Sequence, residues 1–233
     1  MKGSNMSVRS KRYKEAAKLV EPGKLYSIPE AIKLIKQMPL TKFDAAVELH
    51  AKLGIDVKQA NQQVRGSVSL PYGSGKKIRI AVFCSDNKVK EAKEAGASVV
   101  GGEEFIKDIQ ATGKCDFDIA LATPEMMKLL APIAKTLGQK GLMPNPKTET
   151  ITPQVGEAVR KLLAGKVSFK ADDTGNVHLA VGRLSFEEAK LGENIAALVE
   201  ALKRVRPAAA KGTYFKRVVL ATSMGPAVPI NVG

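Results

Sequence analysis

KFDAAVELHAKLGI, residues Lys42–Ile55, is the stretch on which the fold turns. Phe43, Ala45, Val47, Leu49, Ala51, Leu53 and Ile55 alternate with Asp44, Ala46, Glu48, His50, Lys52 and Gly54. Apart from Ala46 and Gly54 the second set is polar or charged, and a period of two with one apolar face marks a half-buried strand. Upstream the rhythm is helical. SIPEAIKLIKQM opens with Ser27 as N-cap, Pro29 in the first turn and Glu30 at the capping-box position, and Pro39 ends it. SVRSKRYKEAAKLV before it reads as a basic helix. Downstream, QVRGSVSL is the expected antiparallel partner of the alternating strand.

Further along, the strands become apolar on both faces. KIRIAVFC, ASVVGG and FDIALA alternate with the helical stretches NKVKEAKEAG, EEFIKDIQATG and TPEMMKLLAPIAKTLG, the last interrupted at Pro132. Strand and helix in turn predict a parallel α/β layer, and TPQVGEAVRKLLAG adds another helix. At Gly165 the half-buried pattern returns. KVSFK and NVHLAVG flank ADDTG, a hairpin connection with Gly175 for the positive φ. A long helix over SFEEAKLGENIAALVEALKRVRP carries a second S-x-x-E box, Ser185 and Glu188, and GTYFKRVVLATSMGPAV closes the chain as a basic strand and a turn. The two ends thus share one style and the middle another. The predicted fold class is a discontinuous α+β first domain, residues 1–72 and 161–233, with an inserted α/β domain (three-layer, Rossmann-like), residues 73–160. Two chain crossings make a natural hinge.

Charge separates the same segments. Lys plus Arg number 37 against 23 Asp plus Glu, a formal +14. Residues 1–72 carry 13 basic and 6 acidic side chains, residues 73–160 carry 13 and 11, and residues 161–233 carry 11 and 6. The excess points to a polyanion, with nucleic acid ahead of an anionic membrane, and places the binding body at the chain ends. No segment approaches ~20 uninterrupted apolar residues, and MKGSNMSVRSKRYKEAAK lacks the apolar core of a signal peptide, so a cytoplasmic protein without membrane contact is expected. Cys84 and Cys115 have no metal-ligand spacing and read as small hydrophobes in a reduced compartment.

Motifs for catalysis fail one by one. GSGKK, Gly73–Lys77, would need Gly at 70 and Ser or Thr at 77 for a phosphate loop, and the chain has Leu70 and Lys77. Asp116 and Asp118 share a strand face without a third ligand, and His50 and His178 lack partners at ligand spacing. Asp172 and Asp173 fit turn chemistry. No catalytic residue, metal or cofactor is expected. Two places suit binding better. Thr41, Lys42 and Phe43 put a hydroxyl, a cation and a ring at the mouth of a strand, where Phe43 either contacts RNA or packs in the core. TSMGP, Thr222–Pro226, sets two hydroxyls and Met224 beside a glycine that admits close approach, or is only a terminal turn.

Taken together, KFDAAVELHAKLGID, VRGSVSLPYGSGK, GLMPNPK, GKVSFKADDTGNVHLAVG, AKGTYFKRV and TSMGP, in this order and spacing, resemble the bacterial ribosomal protein L-one family, RNA-binding proteins of the mobile stalk of the large ribosomal subunit. The resemblance runs almost end to end. It implies a first domain that grips large-subunit rRNA, a stalk that assists release of deacylated tRNA from the exit site, and repression of the protein's own mRNA. It also implies a ribosome-associated protein that is a monomer when free. Carried onto this chain, the RNA contacts fall on Lys42, Phe43, Glu48, Lys52, Thr222, Ser223, Met224 and Gly225. The chain departs from the family pattern at Gln139-Lys140, where Pro-Arg is usual, and at Asp172-Asp173, where Asp-Lys is usual. The second change puts an acid in place of a cation, so Asp173 is not carried over as a contact.

The rival reading is a two-domain enzyme closing on a phosphorylated small molecule between its domains. It draws on the α/β insert and the hinge, and lacks a nucleophile–base pair, a ligand cluster and an intact phosphate loop. LGQKGLMPNPK, Leu137–Lys147, is then a rigid passage between two helices of the insert, with Lys140 and Lys147 as secondary contacts to tRNA or rRNA.

Overall fold

The computed structural model describes residues 9–38 and 41–232. The chain runs through helices α1 (Lys11–Lys18) and α2 (Ile28–Gln37), strands β1 (Ala46–Leu53), β2 (Arg65–Ser69) and β3 (Ile80–Phe83), and helix α3 (Asp86–Glu94). It continues through β4 (Val99–Gly101), α4 (Glu103–Thr112), β5 (Ile119–Ala122), α5 (Ala134–Gln139), α6 (Val155–Leu163), β6 (Lys166–Lys170), β7 (Asn176–Arg183), α7 (Glu188–Arg204), β8 (Phe215–Thr222) and β9 (Val228–Pro229). Two compact units result, one of residues 1–64, 70–75 and 169–233, the other of residues 65–69 and 76–168.

In the first unit, β1 lies at the centre of a four-stranded sheet of order β7-β1-β8-β9, antiparallel to both neighbours. The alternation in its sequence becomes an alternation of burial, with Val47, Leu49, Ala51 and Leu53 each at most 1% exposed. Burying each leucine contributes roughly 1.5–3 kcal/mol. Helices α2 and α7 cover this apolar face. Helix α2 starts as its sequence predicts, with a capping box in which the Ser27 N–H donates to the Glu30 carboxylate at 3.0 Å. Its stop at Pro39 lies outside the described residues, as do Ser7 and Val8 of the first predicted helix and the start of MKGSNMSVRSKRYKEAAK. Helix α7 presents Leu191, Ile195, Leu198 and Leu202, one stripe at helical spacing. At the end of β1, Gly54 breaks the polar row for a steric reason. A Cβ there would meet the Thr213 carbonyl oxygen at 2.2 Å, and the Gly54 N–H donates to Tyr214 O at 2.7 Å.

Three local expectations are corrected. QVRGSVSL does not pair with β1: β2 joins β6 in a separate two-stranded sheet, because both edges of β1 are taken by β7 and β8. KVSFK and NVHLAVG therefore form no hairpin, although the turn between them is well made, with the Gly175 N–H donating to Asp172 O at 3.0 Å. The second S-x-x-E box is also absent. Helix α7 begins at Glu188 behind Glu187, and the Ser185 hydroxyl donates instead to the Asp44 carboxylate at 2.8 Å.

In the second unit, β4, β3 and β5 form a parallel sheet. All four residues of β3 are buried, which is what a strand covered on both faces requires. Ala81 and Phe83 face a cluster with Ile106, Ile109, Phe117 and Leu137, and Ile80 and Val82 face one with Val155, Val159 and Leu162. Cys84 is buried and Cys115 partly so, without a disulfide. Asp118 accepts from Lys76 Nζ at 2.7 Å and from the Arg79 N–H at 3.0 Å, and the bond from Lys76 holds its carboxyl below the usual range. The long helix expected over TPEMMKLLAPIAKTLG is shorter. Residues 124–130 form turns, a single 3₁₀ turn spans Ala131–Ile133, and α5 follows, since Pro132 has no N–H and its ring excludes the preceding helical carbonyl.

The passage GLMPNPK starts with a complete helix stop. Gly141, at φ +69°, donates to Gly138 O at 3.1 Å, and the Leu142 N–H donates to Leu137 O at 2.8 Å. Leu142 and Met143 then pack against the Phe83 cluster. The Asn145 N–H donates to Thr150 Oγ1 at 2.7 Å, and the Thr150 N–H returns a bond to Asn145 O at 3.2 Å. Lys140 Nζ donates to Gly113 O at 2.8 Å, so its ammonium closes the carbonyl end of α4. The Lys147 side chain lies outside the described residues.

Candidate nucleic-acid interface

The first turn of the site is fixed by the strand that follows it. Thr41 Oγ1 donates to Phe43 O at 2.9 Å, and the Arg183 guanidinium donates to Asp44 O at 3.1 Å. Asp44 in turn accepts from the Ser185 N–H at 3.1 Å and from the Ser185 hydroxyl. With the residues on both sides tied down, Phe43 is 58% exposed. Its place in the apolar alternation would have buried it; the strand begins only at Ala46, so the alternation does not bind Phe43 to the core.

The second turn follows β8. The Gly225 N–H donates to Thr222 O at 3.0 Å, closing a tight turn. The Ala46 N–H donates to Ser223 Oγ at 3.2 Å and the Ser223 N–H donates to Ala46 O at 3.1 Å, a contact between residues 177 apart in sequence. Thr222 is buried, whereas Met224 is 62% exposed. Two large apolar side chains, Phe43 and Met224, are therefore held in the open by backbone that is hydrogen-bonded on both sides.

These two turns line one groove of about 910 Å³, which includes Lys42, Phe43, Ser223, Met224 and Gly225. Its other wall is the start of α1, with Arg9, Arg12 and Tyr13. The Arg9 guanidinium sits 4.7 Å from the Tyr13 ring centre, and the Ser10 hydroxyl caps the helix by accepting from the Tyr13 N–H at 3.3 Å. Sequence reasoning found α1 but not its role in this wall; the interleaved cations and ring of RSKRYK were the available signal.

Glu48 and Lys52 stand on the outward row of β1 with His50, and of these three His50 reaches the groove lining. Glu48 Oε2 is 3.6 Å from His50 Nε2, and Lys52 Nζ donates to the Thr174 carbonyl. His50 lies opposite His178 in the register of β1 and β7, their Nδ1 atoms 2.8 Å apart. One of those nitrogens must carry a proton and the other must not, so at least one ring stays neutral in this arrangement. Burial and the neighbouring His178 push the His50 pKa down, against a smaller upward pull from Glu48. Beyond His178, Asp172 Oδ2 lies 3.5 Å from its Nε2. Asp172 is held far below the usual carboxylate range, first by the backbone N–H of Asn176 at 2.7 Å. Its work is turn formation.

The groove offers cations, two exposed apolar side chains, hydroxyls and an adjacent carboxylate. That mixture can contact phosphate, base and ribose hydroxyl together. Among the described residues there is no group of three or more His, Cys, Asp or Glu side chains that could hold a metal, and no helix long and apolar enough to cross a membrane.

Comparison with known proteins shows the family. The model of the ribosomal protein L1p/L10e family matches residues 34–226. The large ribosomal subunit protein uL1 of Kosmotoga olearia is 49% identical over 226 residues, which cover 97% of each chain.

Proposed function

Because this chain belongs to the ribosomal protein L1p/L10e family, we infer that it binds large-subunit rRNA in the mobile stalk of the ribosome, through the groove between α1, Lys42–Phe43 and the Thr222–Gly225 turn. The family is one of structural, non-enzymatic ribosomal proteins that bind rRNA. The observation that supports the site is the convergence of two turns, 177 residues apart and joined through Ala46 and Ser223, on one basic groove with Phe43 and Met224 exposed. In this reading Lys42, Arg9 and Arg12 take phosphates, Phe43 and Met224 pack on bases or sugars, and Ser223 with the open backbone at Gly225 reads the strand closely. Glu48 accepts from a ribose hydroxyl and Lys52 extends the basic row. Thr222, being buried, acts by shaping the turn.

RNA recognition of this kind favours a junction or bulge, whose unstacked bases are accessible, over a plain A-form helix. Residues 1–72 and 161–233 form the gripping domain in this proposal, and residues 73–160 form an inserted Rossmann-like domain on a two-stranded hinge. The protein works in the cytoplasm on the ribosome, helps deacylated tRNA leave the exit site, and represses its own mRNA by binding a similar RNA fold there. A gel-shift titration against fragments of large-subunit rRNA, with plain duplex RNA of equal length as competitor, tests the core of this reading. Selective retention of one junction-bearing fragment is expected; equal binding to the duplex would overturn it. Translation of a reporter carrying the protein's own leader, with and without added protein, tests repression.

A further inference from the structure

We propose that the first unit carries a second binding site, at the opposite end of β8 from the RNA groove, that takes a nucleotide: its base against an apolar wall and an open strand edge, its phosphate on a cluster of cations. The cavity there encloses about 670 Å³, within the ~300–1,000 Å³ of ordinary small-molecule pockets. It is lined by Lys24, Lys203, Arg206, Lys216 and Arg217, and by no carboxylate among the described residues. The RNA groove takes Ala221 from the far end of the same strand, whereas this cavity takes Phe215–Val218.

The cations differ in what already occupies them. Lys24 pairs with Glu21 at 3.1 Å, Lys203 Nζ donates to Val232 O at 3.0 Å, and Arg206 donates to the carbonyls of Ala210 and Gly212. Lys216 and Arg217, next to each other at the start of β8, are exposed. Adjacent residues of a strand point to opposite faces, so the two offer positive charge from either side of the sheet edge. With Lys24 neutralised by Glu21, an anion near them meets a field from four positive side chains, Lys203, Arg206, Lys216 and Arg217, which favours a phosphate over a neutral ligand.

The wall and the edge make the site suited to more than a bare phosphate. Leu25 and Pro229 supply apolar surface, and Leu25 is 64% exposed. Tyr214 and Phe215 form an aromatic pair with ring centres 5.0 Å apart, and Arg206 lies 5.6 Å from the Tyr214 ring. Strand β9 pairs with Val219 and Leu220 and stops there. Ile230 adds a bond from its N–H to Val218 O at 2.9 Å, and among the described residues no strand pairs with Phe215, Lys216 or Arg217 on that side. Of these three, Lys216, two residues before Val218, turns its backbone N–H and C=O to that side, while Phe215 and Arg217 lie opposite Leu53 and Lys52 of β1. The Lys216 backbone thus offers one donor and one acceptor that a nucleobase can match.

A nucleotide could reach this site free in solution or as part of an RNA strand, and the test separates the two. AMP, adenosine and a short 5′-phosphorylated oligoadenylate are each titrated into isotope-labelled full-length protein while the backbone amide resonances are followed. AMP is expected to shift the amides of Thr213–Val218 and Ile230–Val232 saturably, and to bind more tightly than adenosine. The double variant Lys216→Glu/Arg217→Glu should weaken binding about tenfold or more, while Lys107→Glu in the other unit leaves it unchanged. Equal affinity for AMP and oligoadenylate identifies the free nucleotide as sufficient; binding of the oligoadenylate alone identifies a strand. The proposal is overturned if neither AMP nor oligoadenylate shifts these amides, if adenosine binds as tightly as AMP, or if the double variant binds like the wild type.

Discussion

Ser223 and Ala46 are joined by two hydrogen bonds, one into the Ser223 hydroxyl at 3.2 Å and one from the Ser223 N–H at 3.1 Å, and so the two turns of the proposed RNA groove form one piece. Neither turn alone makes a site. Joined, they hold Phe43 and Met224 exposed without leaving the backbone loose.

Ser223→Ala removes the acceptor for the Ala46 N–H and should cost about 1 kcal/mol of stability. RNA affinity should fall with it, since the turn loses its anchor, and Ser223→Thr should restore both. Urea unfolding and RNA titration of the two variants check this; an alanine variant with wild-type values in both would remove the anchor from the account.

Electrostatic capture has its own signature. With about six phosphates neutralised, the log–log dependence of RNA affinity on salt should have a slope of order −4 to −5. Affinity measured across a salt series gives the slope directly, and a value near zero contradicts capture by field.

The His50–His178 pair makes stability depend on pH. The His50 pKa is lowered from 6.5 by burial and by His178, with Glu48 opposing. The neutral ring therefore contributes stability that is complete above the unfolded pKa of about 6.5 and is lost as pH falls through the lower folded value. The urea midpoint should drop below about pH 6.5, and His50→Gln should flatten that part of the curve. Asp172 adds a second loss in a more acidic window, because its folded pKa is lowered as well. An NMR titration placing the His50 pKa at or above its ordinary value would contradict the argument.

Asn194 is fully buried and uses both ends of its amide. It accepts from the Tyr72 N–H at 3.2 Å and donates to Gly73 O at 3.0 Å and Val181 O at 2.7 Å. Asn194→Ala should cost about 2–3 kcal/mol by leaving buried backbone groups unpaired. Asn194→Asp should be no better, since a carboxylate cannot donate to two carbonyls. Thermal unfolding of both variants checks this, and a stable aspartate variant would contradict it.

Much of the fold was legible wherever the determinant is local. Period-two burial in β1, the Ser27–Glu30 capping box and the fully apolar β3 follow from neighbouring residues alone. Pairing was not legible, because alternation identifies a half-buried strand without saying which strand it meets. QVRGSVSL has the right pattern for β1, yet β7 and β8 arrive from over a hundred residues away to take both edges. Ser185 failed as a cap for the same reason: Asp44, 141 residues away, competes for its hydroxyl. The candidate site divides along this line. Lys42, Phe43, Ser223, Met224 and Gly225 could be singled out from their own motifs, whereas the α1 wall with Arg9 and Arg12 emerged only once the helix was seen beside those turns.

The central claim, that the groove between the Phe43 and Met224 turns grips RNA, is tested most directly by a gel-shift titration of the Phe43→Ala/Met224→Ala double variant against the large-subunit rRNA fragment that the wild type binds. Both side chains are more than half exposed, so the thermal midpoint should stay put. Loss of contacts each comparable to base stacking, roughly 1–3 kcal/mol, should weaken binding at least tenfold. A double variant that keeps wild-type affinity while remaining folded would show that the RNA is held by another face.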